Sequence, residues 1–268
     1  MVKPDYGDIL RKKRLKFKNN KELERYYEDK YKKRGYSGGF KIHGINISNI
    51  YHKARQGSAF RYLNPKKDEI ILDAGCGNGK LSLEIAKKCK KIYGVDISRN
   101  AFAKIIKKAP KNLILKKMNI ENLKFKRNFF DKIVCVETLE HVLNPKKVLK
   151  EFSRVIKRGG FLVLSYPTIN KTNIAKIQSR LKINERLEVS EHLTEWGYVT
   201  LIKKVEKEEF KFIKSEGIVF DLGNFDLGKV GLIKRVSKFL TQRFTNLQLS
   251  IRIFPKNSLF VTLLFKKE

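Results

Sequence analysis

The segment VETLEHV, residues 136–142, places two carboxylates and an imidazole close together. On a helical turn Glu137, Glu140 and His141 would share one face, because positions i, i+3 and i+4 lie side by side. Such a set of oxygen and nitrogen ligands suits Mg²⁺ or Mn²⁺ better than a structural zinc. A metal ion held there would bind a hydroxyl group and lower its pKa. The second interpretation is that Glu140 and His141 only pack and cap locally, without a metal.

The glycine-rich run ILDAGCGNGK, residues 71–80, is the strongest chemical signal in the sequence. Gly75, Gly77 and Gly79 allow the backbone to turn tightly and to approach a ligand closely. Their spacing differs from the Gly-x-Gly-x-x-Gly of dinucleotide-binding folds, and the run contains no Gly-Lys-Ser/Thr of a P-loop. The next apolar run ends at Asp96, whose carboxylate can accept hydrogen bonds from ribose hydroxyls. Together these features predict a site for a ribose-containing cofactor.

Short apolar runs alternate with stretches of helical periodicity from Glu69 onward. This alternation predicts an α/β fold with a doubly wound, mainly parallel sheet and right-handed crossovers. The predicted strands span 69–75, 91–96, 113–118, 131–137, 161–166, 217–222 and 258–265. The predicted helices span 21–33, 47–62, 79–90, 98–109, 144–157 and 199–213.

The composition divides the chain into a basic helical N-terminal extension, residues 1–65, and a main domain, residues 66–268. Residues 168–200 are polar and irregular, as expected of an insertion that covers a binding site. Residues 229–244 form a basic amphipathic pattern. We favour packing of that helix on its own sheet or in a dimer, and peripheral contact with an anionic membrane is the alternative.

Several motifs together resemble the class I S-adenosylmethionine-dependent methyltransferases, most closely the ubiquinone-biosynthesis-type O-methyltransferases. They are the glycine run Leu72–Gly79, the dipeptide Val95-Asp96, the run Asn119–Leu123, the strand Phe130–Glu137 and the turn Gly159-Gly160-Phe161. The resemblance implies a Rossmann-like, doubly wound, mainly parallel seven-stranded sheet, with an N-terminal helical extension and an insertion after strand five. It also implies S-adenosylmethionine as the cofactor.

The resemblance further assigns roles to individual residues. The glycine loop would pass under the methionine and ribose part of the cofactor, and Asp96 would accept from both ribose hydroxyls. Asn119 would face the adenine amino group, and Arg55, with Arg61 as the competing candidate, would bind the cofactor carboxylate. The full set implied to bind the cofactor is Arg55, Asp73, Gly75, Cys76, Gly77, Asp96, Ile97, Asn119, Ile120, Val136 and Glu137.

Two methyltransferase groups carry metal sites of the Glu-x-x-Glu-His type: the ubiquinone-pathway O-methyltransferases and the small-RNA terminal 2′-O-methyltransferases. The segment EHLTEW shares the His-x-x-Glu-Trp spacing of the RNA group, so His192 would complete the site. The metal set implied by this similarity is Glu137, Glu140, His141 and His192. Without a metal, His192 is the leading candidate for the general base, and His141 is the second catalytic candidate.

The net charge indicates which kinds of molecule the protein could bind. The chain carries 60 Lys and Arg against 27 Asp and Glu, a formal charge of +33, which attracts nucleic acid and anionic lipid. Because the basic residues are mostly lysines scattered along the sequence, we favour a solvated surface. No apolar run is long enough to span a bilayer, and the first residues lack the apolar stretch of a signal peptide. We therefore expect a cytoplasmic protein.

The favoured reaction is methyl transfer to a hydroxyl oxygen of a small or lipid-like acceptor, with release of S-adenosylhomocysteine. The run Glu137–Glu140 stands where amino-group base methylases carry Asn-Pro-Pro-Tyr or Asp-Pro-Pro-Tyr. Methylation of an RNA ribose 2′-oxygen at a metal site is the alternative, supported by the net charge and by His192 with the residues that follow it. The alternative outside enzymes is a regulatory protein that binds S-adenosylmethionine without turnover.

Overall fold

The computed structural model describes residues 16–34, 41–42, 45–168, 192–218 and 260–268. The predicted amphipathic helix over 229–244 lies outside the described residues, and so does most of the predicted insertion over 168–200. Among the described helices, none is long and apolar enough to cross a membrane.

The described elements follow one another in the order that the apolar runs predict. The helices are α1 (Asn20–Arg34), α2 (Ile47–Leu63), α3 (Lys80–Ala86), α4 (Arg99–Phe102), α5 (Pro145–Val155) and α6 (Tyr198–Glu206). The strands are β1 (Lys41–Ile42), β2 (Ile45–Asn46), β3 (Ile70–Ala74), β4 (Lys91–Asp96), β5 (Leu113–Lys117), β6 (Phe130–Val136), β7 (Ile156–Pro167), β8 (Phe210–Ile218) and β9 (Phe260–Lys267). Short 3₁₀ helices span Ile106–Lys108 and Leu139–His141.

Strands β3 to β9 form a seven-stranded sheet in the order β5-β4-β3-β6-β7-β9-β8. The first five strands of that order pair in parallel, and β9 runs antiparallel to both of its neighbours. The predicted doubly wound, mainly parallel α/β fold is therefore confirmed. The order reverses at β3, with β4 and β5 on one side of it and β6 and β7 on the other. Open sheets of this type bind ligands at the carboxyl ends of the strands at such a reversal.

Helix α5 illustrates how the sequence covers one face of the sheet. The side chain of Asn144 caps the helix by accepting from the Lys147 amide at 3.0 Å. Val148, Leu149 and Phe152 recur at helical spacing and are fully buried. They pack in one cluster with alternate residues of the central strands. The intervening strand residues pack in a second cluster with α2 and α3, so both faces of the sheet are covered.

Four predicted helices are wrong at their C-terminal ends. The helix predicted over 79–90 ends at Ala86, as α3. The helix predicted over 98–109 is the short α4, followed by a separate 3₁₀ turn. Helix α5 ends at Val155, before the predicted end, because the next residue already pairs with β6. The helix predicted over 199–213 ends at Glu206, because Phe210 begins β8 and its side chain is buried in the core.

The packing of α5 gives a direct test of the core. Replacing the fully buried Phe152 by Ala removes a ring from the centre of the main cluster and leaves a cavity. We expect the free energy of unfolding to fall by about 3–5 kcal/mol. Denaturant unfolding followed by circular dichroism measures the change. The matched control is Lys150→Ala, at an exposed position of the same helix, which should stay within about 0.5 kcal/mol of the wild type.

Candidate active site

The glycine loop between β3 and α3 owes its shape to three left-handed residues. Gly75, Gly77 and Gly79 have φ values of 77°, 51° and 70°, in a region that favours glycine. The amides of Gly75 and Cys76 both donate to the carbonyl of Val95, at 2.8 and 2.9 Å, which ties the loop to the end of β4. A Cβ on Gly75 would lie 2.2 Å from side-chain atoms of Thr138, so the loop has no room for a larger residue there.

Two buried carboxylates lie at the carboxyl ends of the central strands β3 and β4. Burial raises the pKa of Asp73 to about 7, although the Ser82 hydroxyl donates to it at 2.6 Å. Burial likewise raises the pKa of Asp96 to about 6, against the effect of the amides that donate to it. Those amides are Ser98 at 3.0 Å and Gly77 at 2.9 Å. Asp96 is therefore held in place by the loops on both sides of it.

A cleft opens beside the glycine loop, between helix α2 and the ends of β3 and β6. Its walls are formed by His52, Arg55, Gln56, Asp73, Gly75, Cys76, Leu81, Val136 and Glu137. Six of these residues belong to the set that the sequence implies for the cofactor: Arg55, Asp73, Gly75, Cys76, Val136 and Glu137. The fold thus brings together residues that are far apart in the chain.

The remaining predicted cofactor residues line the next two strand ends. Gly77 and Asp96 are joined by the hydrogen bond described above, and Ile97 follows directly. The amide of Met118 donates to the carbonyl of Asp96 at 2.8 Å, which places the turn that contains Asn119 beside it. The side chain of Asn119 accepts from the Glu121 amide at 2.8 Å, and Ile120 is buried. This second group does not line the cleft described above.

Arg55 lies in the wall of the cleft with its guanidinium held on three sides. One Nη donates to Glu137 at 3.1 Å, the other contacts Nδ1 of His52 at 3.0 Å, and Cζ lies 4.3 Å from the ring centre of Phe260. Burial and then the charge of Arg55 lower the pKa of His52 to about 4, so this histidine is neutral and can accept. The Nε of Arg55 is buried without a hydrogen-bond partner. A carboxylate in the cleft would supply one.

The competing candidate, Arg61, points elsewhere. Its guanidinium donates to Glu216 of β8 at 2.6 Å, and the same carboxylate accepts from Ser58. Arg61 is also more exposed than Arg55. The geometry therefore favours Arg55 as the cation of the cleft.

The expectation that Glu137, Glu140 and His141 share one face of a helical turn is wrong. Glu137 has a left-handed backbone, with φ of 49°, and only Leu139–His141 form a 3₁₀ turn. The Glu137 carboxylate turns to Arg55 and accepts from the Ser165 hydroxyl at 2.7 Å. Burial raises its pKa, and these two partners oppose the rise.

A different set comes together around Glu140. One ligand atom each from Glu140, His141 and His192 lie within 4.8 Å of one another, and Glu137 is not part of this group. The Glu140 side chain is fully buried and neither of its oxygens has a hydrogen-bond partner. Nε2 of His141 lies 3.6 Å from one of them. Burial and then the charge of Glu137 raise the pKa of Glu140 well above its usual range.

His192 reaches this group because the segment after it is anchored to the core. The amides of Leu193 and Thr194 donate to the carbonyl of Glu140 at 2.8 and 3.1 Å. The hydroxyl of the buried Tyr166 donates to the Thr194 carbonyl and accepts from the Trp196 amide, both at 3.0 Å. The rings of the two histidines are 5.1 Å apart between centres. Sequence spacing alone could not place these hydrogen bonds.

A seven-stranded sheet of this order, with a glycine loop after β3 and an acid at the end of β4, defines the class I S-adenosylmethionine-dependent methyltransferases. A sequence profile described as "Methyltransferase domain" matches residues 65–217, which is more than half of the chain. The chain therefore belongs to this methyltransferase family.

Two known proteins are similar to parts of the chain. The ubiquinone biosynthesis O-methyltransferase of Nitrosomonas europaea is 32% identical over 108 residues, which cover 39% of this chain and only 45% of that enzyme. An uncharacterized protein of Methanocaldococcus jannaschii is 30% identical over 176 residues, covering 65% of this chain and 69% of that protein.

A solved structure extends the similarity to nearly the whole chain. Magnesium protoporphyrin IX methyltransferase (ChlM) from Synechocystis, determined with bound S-adenosylhomocysteine, superimposes with a TM-score of 0.61. The superposition covers 93% of this chain and 100% of that chain, at 13% sequence identity. At this identity the two proteins share the fold.

The position of Asp96 predicts its effect on cofactor affinity. We expect Asp96→Ala to weaken binding of S-adenosylhomocysteine by about 2–3 kcal/mol, because two hydrogen bonds from ribose to a carboxylate would be lost. Titration calorimetry on the full chain measures the change. Glu84→Gln, on the exposed surface of α3, is the control and should bind like the wild type. Wild-type affinity of Asp96→Ala would contradict the assignment.

Proposed function

We propose that the protein transfers the methyl group of S-adenosylmethionine to a hydroxyl oxygen of a small or lipid-like acceptor. In this proposal a Mg²⁺ or Mn²⁺ ion is held by Glu140, His141 and His192 beside the cofactor. One observation carries it: the buried Glu140 carboxylate has no hydrogen-bond partner, and two imidazoles adjoin it. The similarity to ubiquinone O-methyltransferases favours oxygen as the acceptor atom.

The chemistry of the donor set fits a divalent cation. A buried carboxylate without a hydrogen bond is costly, and a bound cation would offset that cost. One carboxylate and two imidazoles suit Mn²⁺, and Mg²⁺ is compatible if water fills the other positions. Glu137 does not belong to the proposed ligands, because its carboxylate is already occupied by Arg55 and Ser165.

In the proposal, residues of the chain bind and orient the cofactor. In the proposal, Asp96 accepts from the ribose hydroxyls, and the free Nε of Arg55 turns toward the cofactor carboxylate. Methyl transfer then depends mainly on alignment of the acceptor oxygen with the sulfonium methyl group and on exclusion of water. A bound cation would supply Lewis acidity that lowers the pKa of the acceptor hydroxyl.

Proton removal distinguishes the metal mechanism from its alternative. If the site works without a metal, a ring nitrogen of His192 takes the hydroxyl proton as general base. His141 then only packs against His192, with an angle of 74° between the two ring planes. In the metal mechanism both imidazoles are ligands, and loss of either one removes the same function.

RNA ribose is the alternative acceptor, and the net charge of +33 is the observation that favours it. The 2′-hydroxyl is also an oxygen nucleophile, so the same metal cluster would serve it. Phosphate contacts would make such binding strongly dependent on salt. Identification of the methylated molecules therefore distinguishes an RNA acceptor from a small or lipid-like one.

Transfer of labelled methyl groups tests the proposed function. The full chain is incubated with S-adenosylmethionine labelled on the methyl group and with separate lipid, small-molecule and RNA fractions of a cell extract. We expect base-stable label in the lipid or small-molecule fraction, abolished by EDTA and restored by Mn²⁺ or Mg²⁺. Label in RNA alone would overturn the proposed acceptor class, and full activity after exhaustive chelation would overturn the metal.

Glu140→Gln tests the metal site without reference to any acceptor. The amide keeps the shape of a side chain that has no hydrogen-bond partner, so we expect thermal stability to be retained or slightly increased. Binding of Mn²⁺, followed by calorimetry or electron paramagnetic resonance, should weaken at least about tenfold, since one anionic ligand is lost. S-adenosylhomocysteine should bind as before. Unchanged Mn²⁺ affinity would contradict the assignment, and Glu84→Gln serves as the control.

A further inference from the structure

Helix α1 precedes the segment matched by the family profile, and yet it lies across the carboxyl edge of the sheet. Lys117 at the end of β5 forms ion pairs with Glu24 and Glu28 of this helix at 2.7 and 2.8 Å. Nearer the helix start, the Asn20 side chain donates to Glu121 at 3.0 Å. The helix is thus attached to loops that adjoin the predicted cofactor residues.

Glu28 makes the most specific of these attachments. Its carboxylate accepts from the Ser98 hydroxyl at 2.7 Å, from the Arg99 amide at 3.1 Å and from the Asn100 amide at 3.2 Å. The Asn100 side chain also donates to the backbone carbonyl of Glu28 at 3.2 Å. The contacts therefore run along the whole start of α4.

Ser98 connects Glu28 directly to the residue implied to bind ribose. Its hydroxyl donates to Glu28, whereas its amide donates to the carboxylate of Asp96 at 3.0 Å. One residue is therefore held by two carboxylates, one from α1 and one from the end of β4. Loss of the Glu28 contacts would free the loop that fixes the orientation of Asp96.

We propose that Glu28 is a positioning residue for the cofactor: it holds the loop 97–100 so that the Asp96 carboxylate faces the ribose. The proposal rests on the assignment of Asp96 to the ribose hydroxyls. It makes α1, which precedes the segment matched by the family profile, a part of the active site. Glu28 itself does not touch the cofactor in this scheme.

The chemistry of the Glu28 contacts separates them from an ordinary surface ion pair. An exposed ion pair contributes little, because both side chains are solvated. The first amides of a helix, however, lack partners within the helix, and here Arg99 and Asn100 find theirs on Glu28. Although burial opposes it, hydrogen bonds from Lys117, Ser98 and these amides lower the pKa of Glu28 to about 2. The carboxylate is thus charged at any working pH.

Two tyrosines of α1 extend the contact to both ends of the active site. Tyr31 packs against the cluster of Cys76, in the glycine loop, and Phe102 of α4. Tyr27 is buried, and its ring is nearly perpendicular to that of His141, with 6.3 Å between the ring centres. The helix therefore contacts both the glycine loop and one of the proposed metal ligands.

Glu28→Gln compared with Glu24→Gln tests the proposal. Both substitutions remove a carboxylate partner of Lys117 from the same face of the same helix, but only Glu28 contacts the loop. We expect titration calorimetry on the full chain to show about five- to tenfold weaker binding of S-adenosylhomocysteine by Glu28→Gln. Glu24→Gln should stay within about twofold of the wild type. Hydrogen exchange at the amides of residues 99 and 100 should increase only in Glu28→Gln.

A second variant guards against a general loss of folding. Ser98→Ala removes one hydroxyl and leaves both carboxylates, and it should give an intermediate loss of affinity with an unchanged melting temperature. If Glu28→Gln bound S-adenosylhomocysteine like the wild type while Asp96→Ala bound it weakly, only the role of Glu28 would be overturned. Wild-type affinity of Asp96→Ala would overturn the ribose assignment together with this proposal.

Discussion

The parallel register of β3 and β4 is the constraint on which the rest of the active site depends. Asp73 pairs with Gly94 and Ala74 with Val95, so the two strands deliver Asp73 and Asp96 to one edge of the sheet. Both carboxylates are buried there, and each needs donors close at hand. The left-handed glycine loop, the Ser98 turn and helix α1 all supply or hold those donors. A ligand with two adjacent hydroxyl groups would therefore meet an Asp96 carboxylate that is already held in place.

Two glutamates that follow β6, Glu137 and Glu140, lie three residues apart and have different surroundings. The left-handed backbone at Glu137 turns this side chain toward Arg55 and Ser165, where its charge is balanced. Glu140 follows in the 3₁₀ turn and is buried without a hydrogen bond. The protein thus satisfies one acid with its own residues and leaves the other next to His141 and His192. For this reason we assign Glu137 to an ion pair with Arg55 and propose Glu140 as a metal ligand.

The parallel strands were well predicted from the sequence, because buried parallel strands read as short apolar runs between glycines and charged helices. The antiparallel strand β8 was not, since it begins at Phe210, whereas the predicted strand begins at residue 217. The strand over 91–96 has the predicted bounds, and the glycine loop and Asp96 meet as expected. Side-chain direction at the end of β6 was not predictable, since a periodic pattern assumes helical backbone and Glu137 departs from it. Nor could the charged pattern of α1 indicate Glu28, because its partners lie some seventy residues away in the sequence.

A crystal structure of the full chain with S-adenosylhomocysteine and Mn²⁺, with anomalous data at the manganese edge, tests the proposed site most directly. We expect the ribose hydroxyls on Asp96, the cofactor carboxylate on Arg55, and an anomalous peak bounded by Glu140, His141 and His192. Glu137 should keep its pair with Arg55 and should not reach the metal. A cofactor bound away from the glycine loop and Asp96, or a saturated crystal with no anomalous peak between the two histidines, would contradict it.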